Sequence, residues 1–450
     1  MLELDINSTI YADPAMRLPP ELMIEILGYL DARSLSRSEL VSGRWAALSR
    51  SQHCWRASFL SAYKPTINVT PQPRMMGGLG IGTKPNGTQD YKQMYKARHL
   101  IEGNWLHCSP RAIYFTGHTD SVYCCQFDED KLITGSRDRT IRVWSMRDFR
   151  CLKVIGGPAS RPVRDDPETR LPTHPHATVM DRPSLNGTSE GNEIYHIPEQ
   201  YHQASILCLH YDDTHMVTGS SDTTCLVWDL ATFEPVRRLR KHSAGVLDVC
   251  MDSTRIISCS KDATICLWDR ATGDLLGVLT GHNGPVNAVQ LRGNLLVSAS
   301  GDGVAKLWNL QTQKCIRDFP SKDRGLAAVE FSADTRFVLA GGNDQVIYKF
   351  DSATGELLHT YRGHTGLVRS LFLDSVNGRV ISGSYDQSMR VYSFDGAARS
   401  KRYMDWTTSW ILAAKGDYRR IVATSQDGRA VLMDYGWAVE GVEMLRGEGV

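Results

Sequence analysis

Histidine, aspartate and a hydroxyl residue recur together along the chain, and this is the residue set of a nucleophilic triad. In the first instance they are His118, Asp138 and Thr134. A hydroxyl becomes a nucleophile when a histidine accepts its proton and an acid orients that histidine. The pairs that repeat the pattern are His202–Asp222, His242–Asp262, His282–Asp302 and His364–Asp386. An enzyme needs such a set once, so the repetition favours a structural role: a buried, hydrogen-bonded polar cluster with no catalytic residue.

The sequence frame around these residues repeats with a period of about 40 residues. A tryptophan stands six residues after the aspartate, as in Asp138–Trp144, and again at Trp228, Trp268 and Trp308. Three later copies replace it and end at Phe350, Tyr392 and Met433. Short apolar runs such as "SVYCCQF" and "TIRVW" alternate with turn residues, which is typical of several short strands in each copy. The pattern predicts a mainly β fold.

The repeat, with its Gly-His and Trp-Asp pairs, resembles the WD repeat, in which each copy forms one four-stranded blade of a β-propeller. The resemblance covers about residues 105–436 and implies seven blades. The strand at "RAIYFTGH" is expected to complete the last blade and so close the ring. Ala340 and Ala423 replace the hydroxyl residue in the fifth and seventh copies, and we expect those blades to be looser.

Segments rich in breaking residues separate the folded parts. Residues 156–199 are rich in Pro, Ser, Thr and charge, and they predict a disordered insertion at the outer edge of the first blade. A tolerated insertion is favoured there, and a regulatory site is the alternative. Residues 61–104 predict a linker that ends in a helix at "QDYKQMYKARHLIEGNW". A flexible tail is expected at 1–16, and residues 437–450 are expected to form a C-terminal tail.

A helical pattern occupies residues 17–60. Pro19 and Pro20 can begin a helix, because the N–H groups of a first turn have no partner within the helix. Two apolar stripes follow, Leu22, Ile26, Leu27 and Leu30, and then Leu40, Val41, Trp45 and Leu48. Asp31 and Ser34 are suited to cap the helix between them. So short and apolar a segment needs a further surface to cover it, which is either a partner or the rest of the chain.

This segment resembles the F-box, through its opening "LPPE", the "LD" turn, the "LV" and "RW" pairs and the final Trp55. The F-box followed by WD repeats is typical of substrate receptors of cullin–RING ubiquitin ligases. The resemblance implies a small all-α domain that binds the adaptor subunit of the ligase, which in turn holds the cullin. The implied contact residues are Leu18, Pro19, Ile26, Leu27, Leu30, Leu40, Val41 and Trp45.

The residue before each repeat aspartate varies, and in WD propellers it lies on the top face beside the central channel. These slot residues are Arg137, Ser221, Lys261, Gly301, Asn343, Tyr385 and Gln426. Residues at the start of each inner strand also line the channel, and they include Tyr123, Ser205, Asn287, Arg324 and Arg369. The four cations in these positions, with no acid among them, suit a phosphate, which offers negative charge and three acceptor oxygens.

The phrases "SVYCCQFD", "TGSRD", "SCSKD", "SASGD" and "SGSYD" are similar to those of the beta-transducin-repeat-containing branch of F-box receptors. That branch binds a doubly phosphorylated Asp-Ser-Gly-x-x-Ser peptide at the channel mouth. The implied site is the set of slot and inner-strand residues without Gln426. Asn343 departs from the serine of that branch, which leaves the peptide preference open.

We therefore predict a non-catalytic substrate receptor with a seven-bladed propeller, an F-box and a partly helical linker. Its partners would be the ligase adaptor, the cullin and phosphorylated proteins, and a homodimer is possible. The net charge of +1 and the absence of a long basic run give no support for nucleic-acid binding, and no apolar run predicts a membrane span. No cofactor or metal site is predicted, and the expected location is the cytoplasm, the nucleus or both. The alternative is a WD-repeat scaffold that acts outside ubiquitin ligases, in which the F-box stripe would be covered by the chain itself.

Overall fold

The structure is a computed structural model of the 450-residue chain. It describes residues 13–63, 90–156, 177–181, 192–196, 198, 200–322, 325–375, 377–396, 400–404 and 406–445. The chain divides into two compact units. Of the described residues, 13–63, 90–109 and 435–445 belong to the first unit, and those between 110 and 434 belong to the second.

Short helices build the first unit. They are α1 (Pro14–Arg17), α2 (Pro20–Gly28), α3 (Ala32–Ser38), α4 (Gly43–Ser49), α5 (Gln52–Tyr63) and α6 (Tyr91–His107). The predicted start of α2 at the proline pair is confirmed, and the Asp31 carboxylate caps α3 by accepting the Ser34 N–H at 3.0 Å. The prediction that the second apolar stripe, Leu40 to Leu48, lies on one helix is wrong. Ser42 is extended and caps α4, so Leu40 and Val41 lie in the turn before it.

The predicted linker helix is confirmed as α6, and it packs against α5. Rings from the two helices form an aromatic cluster, with centroids 6.1 Å apart for Phe59 and Tyr91 and 5.4 Å apart for Tyr63 and Tyr95. The Glu39 carboxylate at the end of α3 accepts from the Lys92 ammonium at 2.5 Å. Burial raises the pKa of that carboxyl, but the hydrogen bonds and positive charges of Lys92 and Arg50 together outweigh burial, and the net pKa lies below its usual value. The linker helix is therefore part of the F-box unit.

The end of the chain also belongs to the first unit. The Tyr435 ring stacks on Trp105 of α6 with centroids 3.8 Å apart, and the Asn104 side chain donates to the Tyr435 carbonyl at 2.7 Å. A 3-10 helix, Val442–Leu445, follows and buries Leu445 completely. The predicted C-terminal tail from 437 is therefore part of the folded first unit as far as residue 445.

Seven antiparallel blades make up the described part of the second unit. Blade 1 contains β2 (Val122–Phe127), β3 (Lys131–Ser136), β4 (Ile141–Ser145) and β5 (Cys151–Ile155). Blade 2 contains β8 (Ile206–Tyr211), β9 (His215–Ser220), β10 (Thr224–Asp229) and β11 (Pro235–Arg240). Blade 3 contains β12 (Val246–Met251), β13 (Arg255–Ser260), β14 (Ile265–Asp269) and β15 (Leu275–Leu279). Blade 4 contains β16 (Val286–Arg292), β17 (Leu295–Ser300), β18 (Val304–Asn309) and β19 (Lys314–Pro320).

The remaining blades follow the same order. Blade 5 contains β20 (Leu326–Phe331), β21 (Phe337–Gly342), β22 (Ile347–Asp351) and β23 (Leu357–Tyr361). Blade 6 contains β24 (Val368–Asp374), β25 (Arg379–Ser384), β26 (Met389–Ser393) and β27 (Ser400–Tyr403). Blade 7 contains β28 (Ile411–Gly416), β29 (Arg420–Ser425) and β30 (Arg429–Asp434). Its fourth strand is β1 (Arg111–Thr116), which pairs antiparallel with β30. The predicted closure of the ring is confirmed.

The insertion in blade 1 contains two strands, β6 (Ala177–Asp181) and β7 (Asn192–His196). They pair antiparallel with each other, and β7 pairs parallel with the edge strand β5. The prediction of disorder throughout 156–199 is therefore wrong for these strands, and the rest of the segment lies outside the described residues. Their sequences, "ATVMD" and "NEIYH", hold β-branched and aromatic residues that suit a strand once the free edge of β5 is available.

Candidate functional site

The repeated His, Asp and hydroxyl residues form a closed hydrogen-bond network in each of five blades. In blade 1, His118 Nδ1 bonds the Asp138 carboxylate at 2.8 Å and Nε2 bonds the Thr134 hydroxyl at 2.8 Å. Trp144 Nε1 donates to that hydroxyl at 3.0 Å. Burial alone would raise the pKa of Asp138, but the facing histidine and the hydrogen bonds hold it well below its usual value. Thr134 is fully buried, so its hydroxyl cannot meet a substrate, and the network is structural.

In blades 5 and 7 the repeat aspartate accepts hydrogen bonds from donors other than a histidine. In blade 5, where no histidine precedes Asp344 at the repeat spacing, the Tyr348 hydroxyl donates to the Asp344 carboxylate. In blade 7, Asp427 accepts from the Thr408 hydroxyl at 2.9 Å and from the Ser425 hydroxyl. The sequence repeat did not indicate Tyr348 and Thr408, which lie outside the repeat positions, whereas Ser425 occupies the place that Ser136 has in blade 1, two residues before the aspartate.

The seven slot residues are held in equivalent places by one repeated backbone bond. In blade 1 the Arg137 N–H donates to the Ser121 carbonyl at 2.9 Å, and in blade 3 the Lys261 N–H donates to the Gly245 carbonyl at 3.0 Å. The corresponding bonds join Ser221 to Ser205, Gly301 to Pro285, Asn343 to Gly325, Tyr385 to Leu367 and Gln426 to Trp410. The acceptor in each case lies directly before an inner strand. The slot residues therefore surround the same end of the ring of inner strands, which we call the channel mouth.

Arg137 lines an open pocket of about 330 Å³ between blades 1 and 2. Arg139, Gln203 and Ser205 also contribute to its wall, as do Asp120 and Asp138, so the pocket combines two arginines and two uncharged polar side chains with two carboxylates. The Arg137 side chain is 58 % exposed, and its Nε lies 3.7 Å from Asp120 Oδ2. Asp120 is thus an acid that the sequence pattern did not include, and a phosphate would compete with it for Arg137.

The other predicted site residues differ in the exposure of their side chains and in the hydrogen bonds that those side chains already make. Lys261 and Asn343 are exposed, whereas Tyr123 and Arg369 are partly buried at the start of their inner strands. Asn287 uses its amide to donate to the Leu326 carbonyl of the next blade at 2.6 Å. Gly301 contributes backbone only, the Ser221 hydroxyl donates to the Ser205 carbonyl at 3.4 Å, and Arg324 lies outside the described residues.

Two groups at the mouth and in the channel were missed by the sequence pattern. Trp410 is exposed and stacks on Tyr385. Asp248, in the inner strand β12, accepts the backbone N–H groups of Val249 and Val289, each at 2.9 Å. Burial raises the pKa of Asp248 to about 6, although Lys415 and Arg369 oppose this shift. The cationic character expected from the slot residues is thus partly balanced by a carboxyl below them.

The channel continues below the mouth as a ring of polar side chains on the inner strands. Gln290 donates to the Glu330 carboxylate at 2.6 Å, and Lys415 lies 3.6 Å from the same carboxylate. His210 Nδ1 is buried and has no hydrogen-bond partner among the described residues. Burial lowers the pKa of His210 to about 4, with Lys415 as the next cause. These groups are not exposed at the mouth, where a protein ligand would bind.

The predicted adaptor surface separates into exposed and buried residues. Ile26 is 51 %, Leu40 86 % and Val41 63 % exposed. Leu27 is only 2 % exposed, so its prediction as a contact residue does not hold: α2 turns it into the domain core. The remaining predicted residues are Leu18, Leu30 and Trp45, which are partly buried, and Pro19, which is exposed. The Trp45 indole donates to the Asp13 carboxylate at 2.8 Å, which fixes its ring.

The comparison with known families agrees with this division. Residues 15–61 match the family described as F-box-like. Five stretches match the WD domain, G-beta repeat, at residues 109–145, 194–229, 233–269, 273–309 and 355–393. The chain is an F-box protein with WD repeats. The matched stretches contain the first three strands of each of the five blades that carry the histidine network, whereas the corresponding three strands of blade 5 (β20–β22) and blade 7 (β28–β30) fall outside them.

Curated relatives of this F-box/WD-repeat chain include ubiquitin-ligase subunits by name. A protein of Arthroderma benhamiae called "Probable E3 ubiquitin ligase complex SCF subunit sconB" is 27 % identical over 176 residues, which is 34 % of this chain and 26 % of that protein. A protein of the same name from Penicillium rubens is 26 % identical over 210 residues, 31 % of this chain and 31 % of that protein. The chain thus matches only about a quarter to a third of the length of these relatives.

A solved structure is similar to the propeller. The WD40 beta propeller domain of Doa1 covers 72 % of this chain and 95 % of its own, with a TM-score of 0.56 and 21 % identity. At this level of identity the likeness concerns the fold alone, and it agrees with the ring of seven blades.

Two negative findings concern the described residues only. Within them, no group of three or more His, Cys, Asp and Glu residues is placed to hold a metal ion. No described helix is long and apolar enough to cross a membrane.

Proposed function

We propose that this chain is a non-catalytic, substrate-recognition subunit of an SCF-type ubiquitin ligase. The observation that carries the proposal is the exposed apolar surface of the F-box, formed by Ile26, Leu40 and Val41. Leu40 and Val41 are adjacent in the sequence and both exposed, and an exposed apolar patch is typical of a protein interface. The names of the two fungal relatives support the ligase adaptor as the partner. Through the adaptor the chain would be joined to the cullin.

The second half of the proposal concerns the propeller, whose channel mouth would bind phosphorylated proteins. Arg137 and Arg139 in one pocket, together with the exposed Lys261, support an anionic ligand. A guanidinium group binds phosphate oxygens through two parallel hydrogen bonds. The receptor would contribute to ubiquitin transfer by proximity, since it holds substrate lysines near the charged conjugating enzyme. The preference of the beta-transducin-repeat branch for a doubly phosphorylated peptide stays a prediction, as do a homodimer and a cytoplasmic or nuclear location.

Adaptor binding is tested with the variant Leu40→Asp. A purified adaptor–cullin complex should bind the wild-type chain and lose about tenfold or more in affinity for this variant, because a carboxylate cannot be buried in an apolar interface without a partner. Leu358→Asp, at an exposed leucine of β23 in the propeller, is the control and should bind as the wild type does. If both variants bound the adaptor–cullin complex as tightly as the wild type does, the F-box would not form the interface. If the wild type did not bind this complex, a scaffold outside ubiquitin ligases would be favoured.

Phosphate recognition is tested with Arg137→Ala and a peptide that contains Asp-pSer-Gly-x-x-pSer. We expect the variant to bind this peptide about 10 to 150 times more weakly, since hydrogen bonds to charged groups contribute about 1.5 to 3 kcal/mol. The unphosphorylated peptide should bind both proteins alike. Arg147→Ala, which removes an exposed arginine in the turn after β4, is the control. Equal losses for both peptides would show that Arg137 binds something other than phosphate.

A further inference from the structure

Asp120 is an acid at a place where the described residues of the other blades are small. It directly precedes Ser121, whose carbonyl accepts the N–H of the slot residue Arg137. The Asp120 carbonyl accepts the Ser136 hydroxyl at 3.1 Å, and the same bond recurs in blades 3 and 4 at 3.0 Å. The described residues at this place in the other blades are Ala204, Ala244, Gly284, Gly366 and Ser409. Among the described residues at this place, Asp120 is therefore the one that carries a charge.

The Asp120 carboxylate is fixed beside Arg137. Its Oδ1 accepts the Ser121 N–H at 2.7 Å, which anchors one side of the carboxylate. Its Oδ2 lies 3.7 Å from Arg137 Nε. The side chains of Asp120 and Arg137 are 44 % and 58 % exposed, so a ligand can reach both from solvent. An exposed ion pair at this distance is weak, and a ligand that offers a stronger anion can separate it.

A phosphate that binds Arg137 would leave the Asp120 carboxylate without its cation. A guanidinium group binds two phosphate oxygens along one edge, and the Nε that faces Asp120 belongs to such an edge. The phosphate brings about 1.5 to 2 negative charges close to a carboxylate that its bond to Ser121 holds in place. Arg139 lines the same pocket, but within the described part of the chain it makes no ion pair with Asp120. The two adjacent anions therefore repel each other unless a further cation reaches them.

A side chain of the ligand can supply that cation. Neighbouring residues of an extended peptide are about 3.3 Å apart, which is similar to the 3.7 Å between Asp120 and Arg137. A residue close to the phosphoserine can therefore reach the carboxylate. We propose that Asp120 binds a lysine or arginine side chain that a phosphorylated peptide carries within a few residues of its phosphate. This inference rests on the proposed phosphopeptide site and adds to it a specificity determinant of opposite charge.

The test uses peptides with two phosphoserines four residues apart, in which each remaining position carries Lys, Gln or Glu in turn. For the wild-type chain, Lys at one position near a phosphoserine should strengthen binding about 3- to 5-fold over Gln, near the upper end for an exposed ion pair. Glu at the same position should bind more weakly than Gln, because Asp120 repels it. Fluorescence anisotropy of labelled peptides measures these affinities.

Asp120→Asn removes the charge and keeps an oxygen that can accept the Ser121 N–H. This variant should bind the Lys and Gln peptides alike. It should bind the Gln peptide at least as tightly as the wild type does, because Arg137 no longer has an internal competitor. Asp120→Ala, which introduces the residue that blades 2 and 3 have at this place, should behave in the same way. Asp120→Glu should keep part of the preference for Lys.

Asp130→Asn removes an exposed acid from the turn between β2 and β3 and is the control, which should keep the wild-type ratio of Lys to Gln affinities. An unchanged ratio in both Asp120→Asn and Asp120→Ala, with normal thermal unfolding, would overturn the inference. So would a gain in affinity that is equal for the Lys and Gln peptides, since Asp120 would then only compete with the phosphate for Arg137.

The same peptides separate this inference from the proposed function. A wild-type chain that does not distinguish phosphorylated from plain peptides would overturn the proposed phosphopeptide site. A wild-type chain that requires phosphate but prefers Lys at no position would overturn only the inference about Asp120.

Discussion

At the scale of single residues, the repeat aspartate accepts different hydrogen bonds in different blades, so its contribution to stability is expected to differ between blades. Asp138 accepts four hydrogen bonds, from His118, from the Thr119 N–H and from both the N–H and the hydroxyl of Thr140. Within the described part of the chain, Asp344 in blade 5 accepts from Val346 and Tyr348. The frame of the repeat is the same, but the network it supports is not.

The substitution Asp138→Asn should therefore lower the free energy of unfolding by about 1.5 to 3 kcal/mol, because it removes a charge that accepts buried hydrogen bonds and places an N–H₂ against existing donors. Asp344→Asn is the matched substitution in blade 5 and should cost less than about 1.5 kcal/mol. Urea unfolding of both variants measures the difference. Equal costs would mean that the histidine network adds nothing beyond the turn itself.

Residue-level sequence analysis located the network and the slot positions well, because both follow the repeat. It failed where a neighbouring element decides the outcome. Ile26 and Leu27 are adjacent apolar residues of one predicted stripe, yet one is exposed and the other is in the core. Trp410 and Tyr348 lie outside the repeat signature, so their roles depend on residues that only the folded blades bring together.

At the scale of elements, the β1–β30 pairing completes blade 7, and a buried ionic cluster then joins blade 7 to blade 1. We call the contact between these two blades the seam. Arg420, at the start of β29, bonds Asp417 in its own blade at 2.8 Å. It also lies 3.2 Å from the Glu129 carboxylate in the turn between β2 and β3 of blade 1. Burial alone would lower the pKa of Arg420, but the nearby carboxylates raise it, with Asp417 the largest of these causes. The guanidinium group stays charged in the seam.

Arg420→Met keeps the volume of the side chain but leaves two carboxylates without their cation, so we expect a loss of about 3 to 5 kcal/mol in stability. Adding Asp417→Asn and Glu129→Gln to this variant should restore part of the loss. Arg255→Met, which breaks a less buried pair with Asp252 in blade 3, is the control and should cost clearly less. Thermal unfolding of the wild type and these variants tests the order. A full loss that the two extra substitutions do not reduce would assign the effect to packing.

The strands and helices themselves were predictable from alternation and capping, since the apolar runs, the proline pair and Asp31 are local signals. The insertion was not, because β7 becomes a strand only beside the free edge of β5. Likewise, nothing near Tyr435 indicates that it packs on Trp105, which precedes it by more than 300 residues.

At the scale of the whole molecule, His210 in the propeller channel makes stability depend on pH. Its pKa of about 4 lies below the unfolded value of about 6.5. Between these values the unfolded chain binds a proton that the folded chain does not, so stability falls as the pH is lowered through this window. Asp248, whose pKa is raised to about 6, acts in the opposite direction because its folded form binds the proton first.

His210→Gln should remove the first contribution alone. The free energy of unfolding of the wild type relative to this variant should fall by up to about 3 kcal/mol between pH 7 and pH 4. Urea unfolding of both proteins at pH 7, 6, 5 and 4 measures that difference, and the other titrating groups cancel because both proteins contain them. A difference that does not change with pH would show that His210 is not buried as a neutral ring in solution.

The pairing of distant chain segments has a consequence for the order of synthesis. The closing strand β1 leaves the ribosome about 320 residues before its partner β30, which at 5 to 20 residues per second is roughly 15 to 65 s. Helix α6 is synthesised similarly long before Tyr435, whose ring stacks on Trp105 of that helix. When blades 1 to 6 have been synthesised, the nascent chain therefore still lacks the strands that close the ring and the residues that complete the F-box unit. The segment from Tyr435 to Leu445 therefore decides when the F-box unit is complete, and a chain that stops short of this segment has a nearly complete propeller and an incomplete F-box unit.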